Sequence, residues 1–329
     1  MVKKVEIKNF KSIKNLKLNP RRVNIFIGPP NSGKSNILEG IGLLSIFSLE
    51  KAQNFKSLIR FQNAYELFFD QNVSSKVEIV LDQIHCTIDS NNSSYSLKVQ
   101  LGKKFAGVES GVGFAGNGNI FRSDDILSMP SLDVNFYKFA ARESFVSSVP
   151  GRLLSPDGPN LPAVIITNKE LRNFISDLLK DFQIQLNIRQ TENTLEVMKQ
   201  TEDITISYPY LSLSDTLQRI IFYYAAMVSN RGAVLLFEEP ESNSFPYYTK
   251  FLAERIGLDQ RQNQYFITTH NPYFLISLIE KTPATELAVF LTGMKNYRTE
   301  VKALARNEIS EILDLGASAF FNLDALAGR

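Results

Sequence analysis

Eight residues near the amino terminus have the types and spacing of a phosphate-binding loop. Residues 28–35, GPPNSGKS, fit the pattern G-x-x-x-x-G-K-[ST] and stand between an apolar run and a segment with helical periodicity. Glycines let the backbone turn tightly, so that successive N–H groups converge on phosphate oxygens at the start of a helix. We expect Lys34 to add positive charge at the β- and γ-phosphates of a nucleotide and Ser35 to ligate Mg²⁺.

A second group of candidate residues follows the apolar run at residues 234–237. Glu238, Glu239 and Glu241 are three acids within four residues, and the carboxyl ends of parallel strands face the crevice where α/β proteins bind ligands. The first acid can hold Mg²⁺ beside Ser35, and Glu239 can orient or deprotonate the attacking water. The alternative is a solvated acidic turn after an edge strand, which a phosphate loop in the same chain makes less favourable.

One of the only two histidines, His270, follows another apolar run at residues 265–268. An imidazole at the end of a strand could hydrogen-bond the γ-phosphate or the attacking water. A single histidine is more often structural, but this position favours the functional interpretation. The other histidine, His85, lies beside Cys86 in a predicted strand without further ligands, so we do not expect a metal site there.

The apolar patterns predict the elements that must position these residues. Patterns at residues 5–27 and 77–101 predict short antiparallel strands, and residues 35–47 predict a helix after the phosphate loop. From residue 214 onward, helices alternate with near-continuous apolar strands, which is typical of a buried parallel sheet. A helix over residues 169–182, capped by Asn168, and three short strands between residues 184 and 208 predict a smaller lobe between the two ends.

A glycine-rich segment is predicted to be a mobile loop or a lid. Six of the 17 glycines lie between Gly102 and Gly118. Residues 111–116 also fit G-x-G-x-x-G, but no apolar strand precedes them and residues 117–119 exclude a following helix. We therefore do not expect this segment to bind a dinucleotide.

Composition bounds the class of protein. The 329 residues are 44% apolar and 21% charged, which excludes collagen-like, low-complexity and wholly disordered chains. A single cysteine, the polar start of the chain and the lack of a 20-residue apolar run predict a cytoplasmic protein without a membrane segment. The net charge is only +2, yet the first 22 residues hold eight Lys or Arg and one acid. This basic segment is either a solvated face, which we favour, or a contact with the DNA backbone.

The order of these motifs resembles the head of the RecF/SMC/OLD-like ABC-type ATPases. The family opening appears as NFKS at residues 9–12, and the family signature as LSDTLQR at residues 213–219. The resemblance implies an α/β P-loop NTPase head of the ABC-ATPase type, with an N-terminal antiparallel β meander, a central mostly parallel sheet and an inserted α+β lobe. It divides the chain into residues 1–145, 146–212 and 213–329. Without heptads, and with 59 residues after His270, we expect neither SMC-type arms nor a Toprim nuclease.

The resemblance also implies Mg-dependent ATP binding, slow hydrolysis and ATP-driven head-to-tail pairing of two copies. Glu238 replaces the usual aspartate, the signature lacks its glycines, and residues 242–246 lack the usual aspartate and histidine. These departures favour slow turnover. The implied site comprises catalytic Glu239 and His270; ATP-binding Lys11, Gly28, Asn31, Ser32, Gly33, Lys34, Ser35 and Asn36; signature residues Ser214, Asp215 and Thr216 acting on the other copy; and metal-binding Ser35, Glu238 and, at the Q-loop, Gln71.

For partners, the resemblance implies a second copy of the chain and a separate effector or nuclease subunit, in DNA repair or phage defence. Two alternatives stay open. The protein could be a scaffold that binds ATP without hydrolysing it, which the atypical signature favours. It could also be the motor subunit of an ABC transporter, which the same signature and the long middle lobe make less favourable.

Overall fold

The computed structural model describes residues 1–48, 54–91, 94–102, 109–122 and 133–321. Its strands are β1 (Val5–Phe10), β2 (Ile13–Leu18), β3 (Val23–Ile27), β4 (Val77–Leu81), β5 (Ile84–Asn91), β6 (Ser94–Leu101), β7 (Glu109–Ala115), β8 (Ile120–Arg122), β9 (Val134–Tyr137), β10 (Gln185–Arg189), β11 (Thr194–Thr201), β12 (Ile204–Pro209), β13 (Val234–Glu238), β14 (Gln264–Thr268), β15 (Leu287–Lys295) and β16 (Arg298–Ala303). Its α-helices are α1 (Lys34–Gly42), α2 (Leu161–Thr167), α3 (Lys169–Lys180), α4 (Asp215–Ser229), α5 (Pro246–Gly257), α6 (Pro272–Lys281) and α7 (Arg306–Leu315).

A six-stranded sheet carries the phosphate loop, in the order β16-β15-β3-β14-β13-β9. All neighbours pair in parallel except β15 and β16, which form an antiparallel hairpin. Side chains of each strand alternate between two cores, so that Ile25 packs on one face of the sheet and Phe26 on the other. Because β3, β13, β14 and β15 run in the same direction, their carboxyl ends meet at one edge.

A seven-stranded antiparallel sheet covers one side of this core, in the order β2-β1-β4-β5-β6-β7-β8. The predicted α/β head with an N-terminal antiparallel β meander and a mostly parallel central sheet is therefore confirmed. Two details differ. Strand β3 leaves the meander for the parallel sheet, and the predicted loop at residues 102–118 contains strand β7; residues 103–108 lie outside the described part of the chain.

The middle of the chain forms the predicted α+β lobe. Helices α2 and α3 and the three-stranded sheet β10-β11-β12 lie between β9 and α4. Asn168 caps α3, since its side-chain oxygen accepts a hydrogen bond from the backbone N–H of Leu171 at 3.0 Å. Leu171, Ile175 and Leu179 form the buried stripe of this helix. Among the described residues, no helix combines the length and apolar character needed to cross a bilayer.

Candidate nucleotide site

The phosphate loop joins the end of β3 to the start of α1. Gly28 and Gly33 have φ values of 149° and 92°, which side chains rarely adopt. A Cβ atom at Gly28 would lie 2.3 Å from the backbone oxygen of Thr292, and one at Gly33 would lie 1.9 Å from Oγ1 of Thr299. Both glycines are therefore required by the backbone conformation and by the close approach of the β15–β16 hairpin.

Lys34 is only 5% exposed and lies folded against the loop. Its Nζ donates hydrogen bonds to the backbone oxygens of Gly28 at 2.9 Å and Pro29 at 2.8 Å. Burial lowers the pKa of Lys34 to about 8, so the side chain is still mostly cationic at pH 7. Phosphate oxygens would offer this ammonium a negatively charged acceptor in place of neutral carbonyls.

The remaining predicted loop residues surround this lysine. Ser32 is buried and shares a 2.7 Å hydrogen bond with Thr292, whereas Asn31 is exposed with φ 58°. Ser35 and Asn36 are half-buried at the start of α1. Asn36 donates to Oγ of Ser12 at 2.7 Å, which ties the NFKS turn to this helix.

Glu239 and His270 meet at the ends of β13 and β14. Oε1 of Glu239 lies 3.3 Å from Nε2 of His270, and Oε2 accepts a hydrogen bond from Ser242 at 3.2 Å. Glu239 has a φ of 44°, a left-handed conformation that is sparsely populated outside glycine. Burial and the nearby Lys34 lower the pKa of His270, which favours the neutral imidazole. The structure thus brings the predicted acid, the predicted histidine and the loop lysine close enough for their charges to interact.

Glu238, the first of the three acids, belongs to a network of ion pairs that the sequence did not predict. Arg60 donates to Oε1 of Glu238 at 2.8 Å and to Oε1 of Glu39 at 2.9 Å. Glu39 is fully buried on α1 and also pairs with Lys11. A buried carboxylate requires such cationic partners, and the only sequence signal was an acid among apolar helix residues. Lys11, predicted to bind ATP, is therefore held by Glu39 in this structure.

Gln71 lies beside the NFKS turn. It ends a short 3₁₀ turn, with φ 57°, and lines a cavity of about 380 Å³ together with Lys11, Ser12 and Arg60. The cavity connects the predicted Q-loop residue with the network that holds Glu238. Its metal role stays a prediction.

The predicted signature forms the start of α4. Oγ of Ser214 accepts a hydrogen bond from the N–H of Leu217 at 3.4 Å, so this serine caps its own helix. Ser214 and Asp215 are exposed, and Oγ1 of Thr216 donates to the backbone oxygen of Asn243 at 3.1 Å. This helix start is thus open to a partner and joined to the loop that follows the acidic group.

Glu241 is the most buried of the three acids, at 5% exposure. One oxygen accepts a hydrogen bond from Thr269, and the other has no hydrogen-bond partner among the described residues. Burial raises the pKa of Glu241 to about 7. The sequence indicated an acidic turn here but not that one acid is enclosed.

Known protein families match the parts of the sequence that form this site. Residues 1–144 match the family described as "AAA ATPase domain", and residues 121–277 match "AAA domain, putative AbiEii toxin, Type IV TA system". The DNA replication and repair protein RecF of Lactobacillus johnsonii is 36% identical over 77 residues, which cover 23% of this chain and 21% of that protein. The chromosome partition protein Smc of Methanococcus voltae is 37% identical over 95 residues, 25% of this chain and 8% of that protein.

Solved structures extend the likeness in fold to most of the chain. An SMC head bound to the C-winged helix domain of ScpA has a TM-score of 0.53 at 16% identity and covers 93% of this chain and 99% of its own. A second structure is an Smc head with an extended coiled coil, bound to the C-terminal domain of ScpA derived from Pyrococcus furiosus. It has a TM-score of 0.50 at 14% identity and covers 95% of this chain and 98% of its own. Together, the two family matches, these relatives, the phosphate loop and the paired strand-end acid and histidine support a RecF/SMC-like ABC-type AAA ATPase.

Proposed function

We propose that the protein binds Mg-ATP at residues 28–35 and hydrolyses it slowly. The observation that carries this proposal is the 3.3 Å contact between Glu239 and His270, at the same sheet edge as the phosphate loop. Glu239 is the group that would orient or deprotonate the attacking water, and neutral His270 can hydrogen-bond the water or the γ-phosphate. Lys34 supplies positive charge where negative charge develops.

The donors near the loop suit Mg²⁺. Ser35 offers a hydroxyl oxygen and Glu238 a carboxylate oxygen, and hard oxygen ligands are those that Mg²⁺ prefers. The ion would supply charge neutralisation on the phosphates. Arg60 donates to Oε1 of Glu238, so its guanidinium competes with a cation for this carboxylate. That competition is a physical reason for slow turnover, and it also favours the scaffold alternative.

Replacing Lys34 with alanine should weaken Mg-ATP binding about 10- to 100-fold, the effect of losing a charged hydrogen bond. Isothermal titration calorimetry with Mg-ATP measures this directly. Lys250→Ala, which removes an exposed lysine on α5, is the matched control and should bind like the wild type. Equal affinities for the wild type and Lys34→Ala would remove the phosphate-site proposal.

We further propose that ATP joins two copies head to tail, with Ser214 of one copy facing the γ-phosphate on the other. The exposed start of α4 supports this arrangement. Lys34→Ala and Ser214→Arg should each abolish turnover alone. Mixed, they should restore up to about a quarter of wild-type turnover, because half of the pairs are mixed and each mixed pair has one intact site of two. A mixture as inactive as its components would exclude shared sites.

The relatives support a DNA-related setting, since two of the matched proteins are named for DNA repair and chromosome partition. Both solved SMC heads are bound to parts of ScpA, which supports the proposal of a separate partner subunit here. A direct contact of the basic amino terminus with DNA has less support. Of its eight cationic side chains, Lys4, Lys8, Lys11, Lys17 and Arg22 pair with carboxylates.

A further inference from the structure

The β15–β16 hairpin extends past the sheet edge at which the phosphate loop begins. Residues 287–291 of β15 pair in parallel with residues 23–27 of β3, and β15 then continues for four more residues to Lys295. At 3.3 Å per residue, this projects the hairpin about 13 Å beyond the end of β3. The hairpin thus forms a wall on one side of the loop.

This wall is packed directly against the loop. Thr292 on β15 bonds Ser32, and Thr299 on β16 covers Gly33 so closely that a Cβ there would clash. The backbone N–H of Thr299 also donates to the oxygen of Ser12 at 2.9 Å. The position of the hairpin tip relative to the loop is therefore fixed by contacts on both strands.

The tip itself carries a tyrosine in an unfavourable backbone conformation. Lys295 pairs with Arg298, so Asn296 and Tyr297 form a two-residue turn, and both have positive φ values of 48° and 59°. Asparagine followed by glycine is the usual choice for such a turn, and a bulky residue in left-handed backbone is strained. Tyr297 is nevertheless 89% exposed, so packing against the described residues does not explain why a tyrosine stands there.

The sheet order gives the direction in which a bound nucleotide must lie. Glu239 and His270 follow β13 and β14, on one side of β3, whereas the hairpin flanks β3 on the other side. A triphosphate whose terminal phosphate faces Glu239 and His270 directs its nucleoside toward the hairpin.

We propose that Tyr297 stacks on the base of the nucleotide bound at residues 28–35. An exposed aromatic ring at this position can cover the face of a base, as aromatic side chains do in nucleic-acid-binding proteins. The inference rests on the proposed ATP binding and adds a base-binding residue to it. The neighbouring Arg298 anchors the hairpin next to the tip. Its guanidinium lies 5.7 Å from the ring centre of buried Phe69.

The test compares Mg-ATP with Mg-tripolyphosphate, which has no base, by calorimetry. Tyr297→Gly should lower ATP affinity 5- to 100-fold, leave tripolyphosphate affinity unchanged, and keep or raise the melting temperature because glycine relieves the backbone strain. Tyr297→Phe should retain wild-type ATP affinity. Tyr208→Ala, at another exposed tyrosine, is the control and should bind both ligands normally.

The outcomes separate this inference from the proposal beneath it. If neither ligand binds the wild type, the phosphate site itself is wrong and the stacking proposal fails with it. Two other results would overturn base stacking by Tyr297 while phosphate binding stands. In the first, the wild type binds ATP no more tightly than tripolyphosphate. In the second, Tyr297→Gly has the same ratio of the two affinities as the wild type.

Discussion

Substituting glutamine for Glu239 should slow steady-state ATP turnover by 10²- to 10⁴-fold, the usual contribution of a general base. The amide keeps the size of the side chain and its capacity to accept the hydrogen bond of Ser242, but it cannot take a proton from water. Mg-ATP binding should change little, since Glu239 does not belong to the phosphate loop. The ATP-bound pair of copies should therefore live longer than in the wild type.

Phosphate release and size-exclusion chromatography with Mg-ATP measure these two effects on the same samples. Glu254→Gln, on α5 and paired with Lys281, is the matched control and should retain wild-type turnover. If Glu239→Gln neither slows phosphate release nor prolongs the pair, the catalytic assignment is wrong. A wild type that releases phosphate no faster than Lys34→Ala would instead identify a nucleotide-gated scaffold.

The position of β3 shows what a local pattern can and cannot predict. Its existence was predicted, because its residues are apolar except for Asn24. Its membership of the parallel sheet was not, because β3 pairs with β14 and β15, more than 230 residues later in the chain. The near-continuous apolar character of β3, against the alternation in β1 and β2, was the signal that distinguishes a strand buried on both faces.

The glycine-rich segment was wrongly predicted to be a loop for a different reason. In β7, buried Val112 and Phe114 alternate with Gly111 and Gly113, which is a period-two strand pattern with glycines on the second face. Counting glycines concealed that pattern and favoured a loop. A strand is possible here because both neighbours, β6 and β8, supply backbone hydrogen bonds.

The candidate site likewise contains residues that could be predicted from local sequence and residues that could not. The phosphate loop is one contiguous segment whose chemistry is local, so its residues and their place between strand and helix could be predicted. Arg60 could not, since its role depends on reaching Glu39 and Glu238 from distant parts of the chain. Tyr297 was missed because β16, and with it the hairpin, was not predicted.

Glu241 should make the stability of the protein depend on pH. Its pKa is raised from 4.5 to about 7 by burial, so between these values the folded chain holds a proton that the unfolded chain has released. Stability then falls as pH rises through this window. With 1.36 kcal/mol for each pKa unit, the loss between pH 5 and pH 8 is about 3 kcal/mol.

Glu241→Gln should remove this loss, because an amide does not ionise and can still accept the hydrogen bond of Thr269. Relative to the wild type, the variant should gain about 3 kcal/mol in unfolding free energy between pH 5 and pH 8, measured by urea denaturation at each pH. Taking the difference cancels titrations common to both proteins. Glu280→Gln, at an exposed position on α6, should track the wild type at every pH. If the Glu241→Gln difference is also constant with pH, the buried carboxyl is not protonated in the folded protein, and the enclosure of Glu241 beside Glu239 and His270 must admit water or a cation.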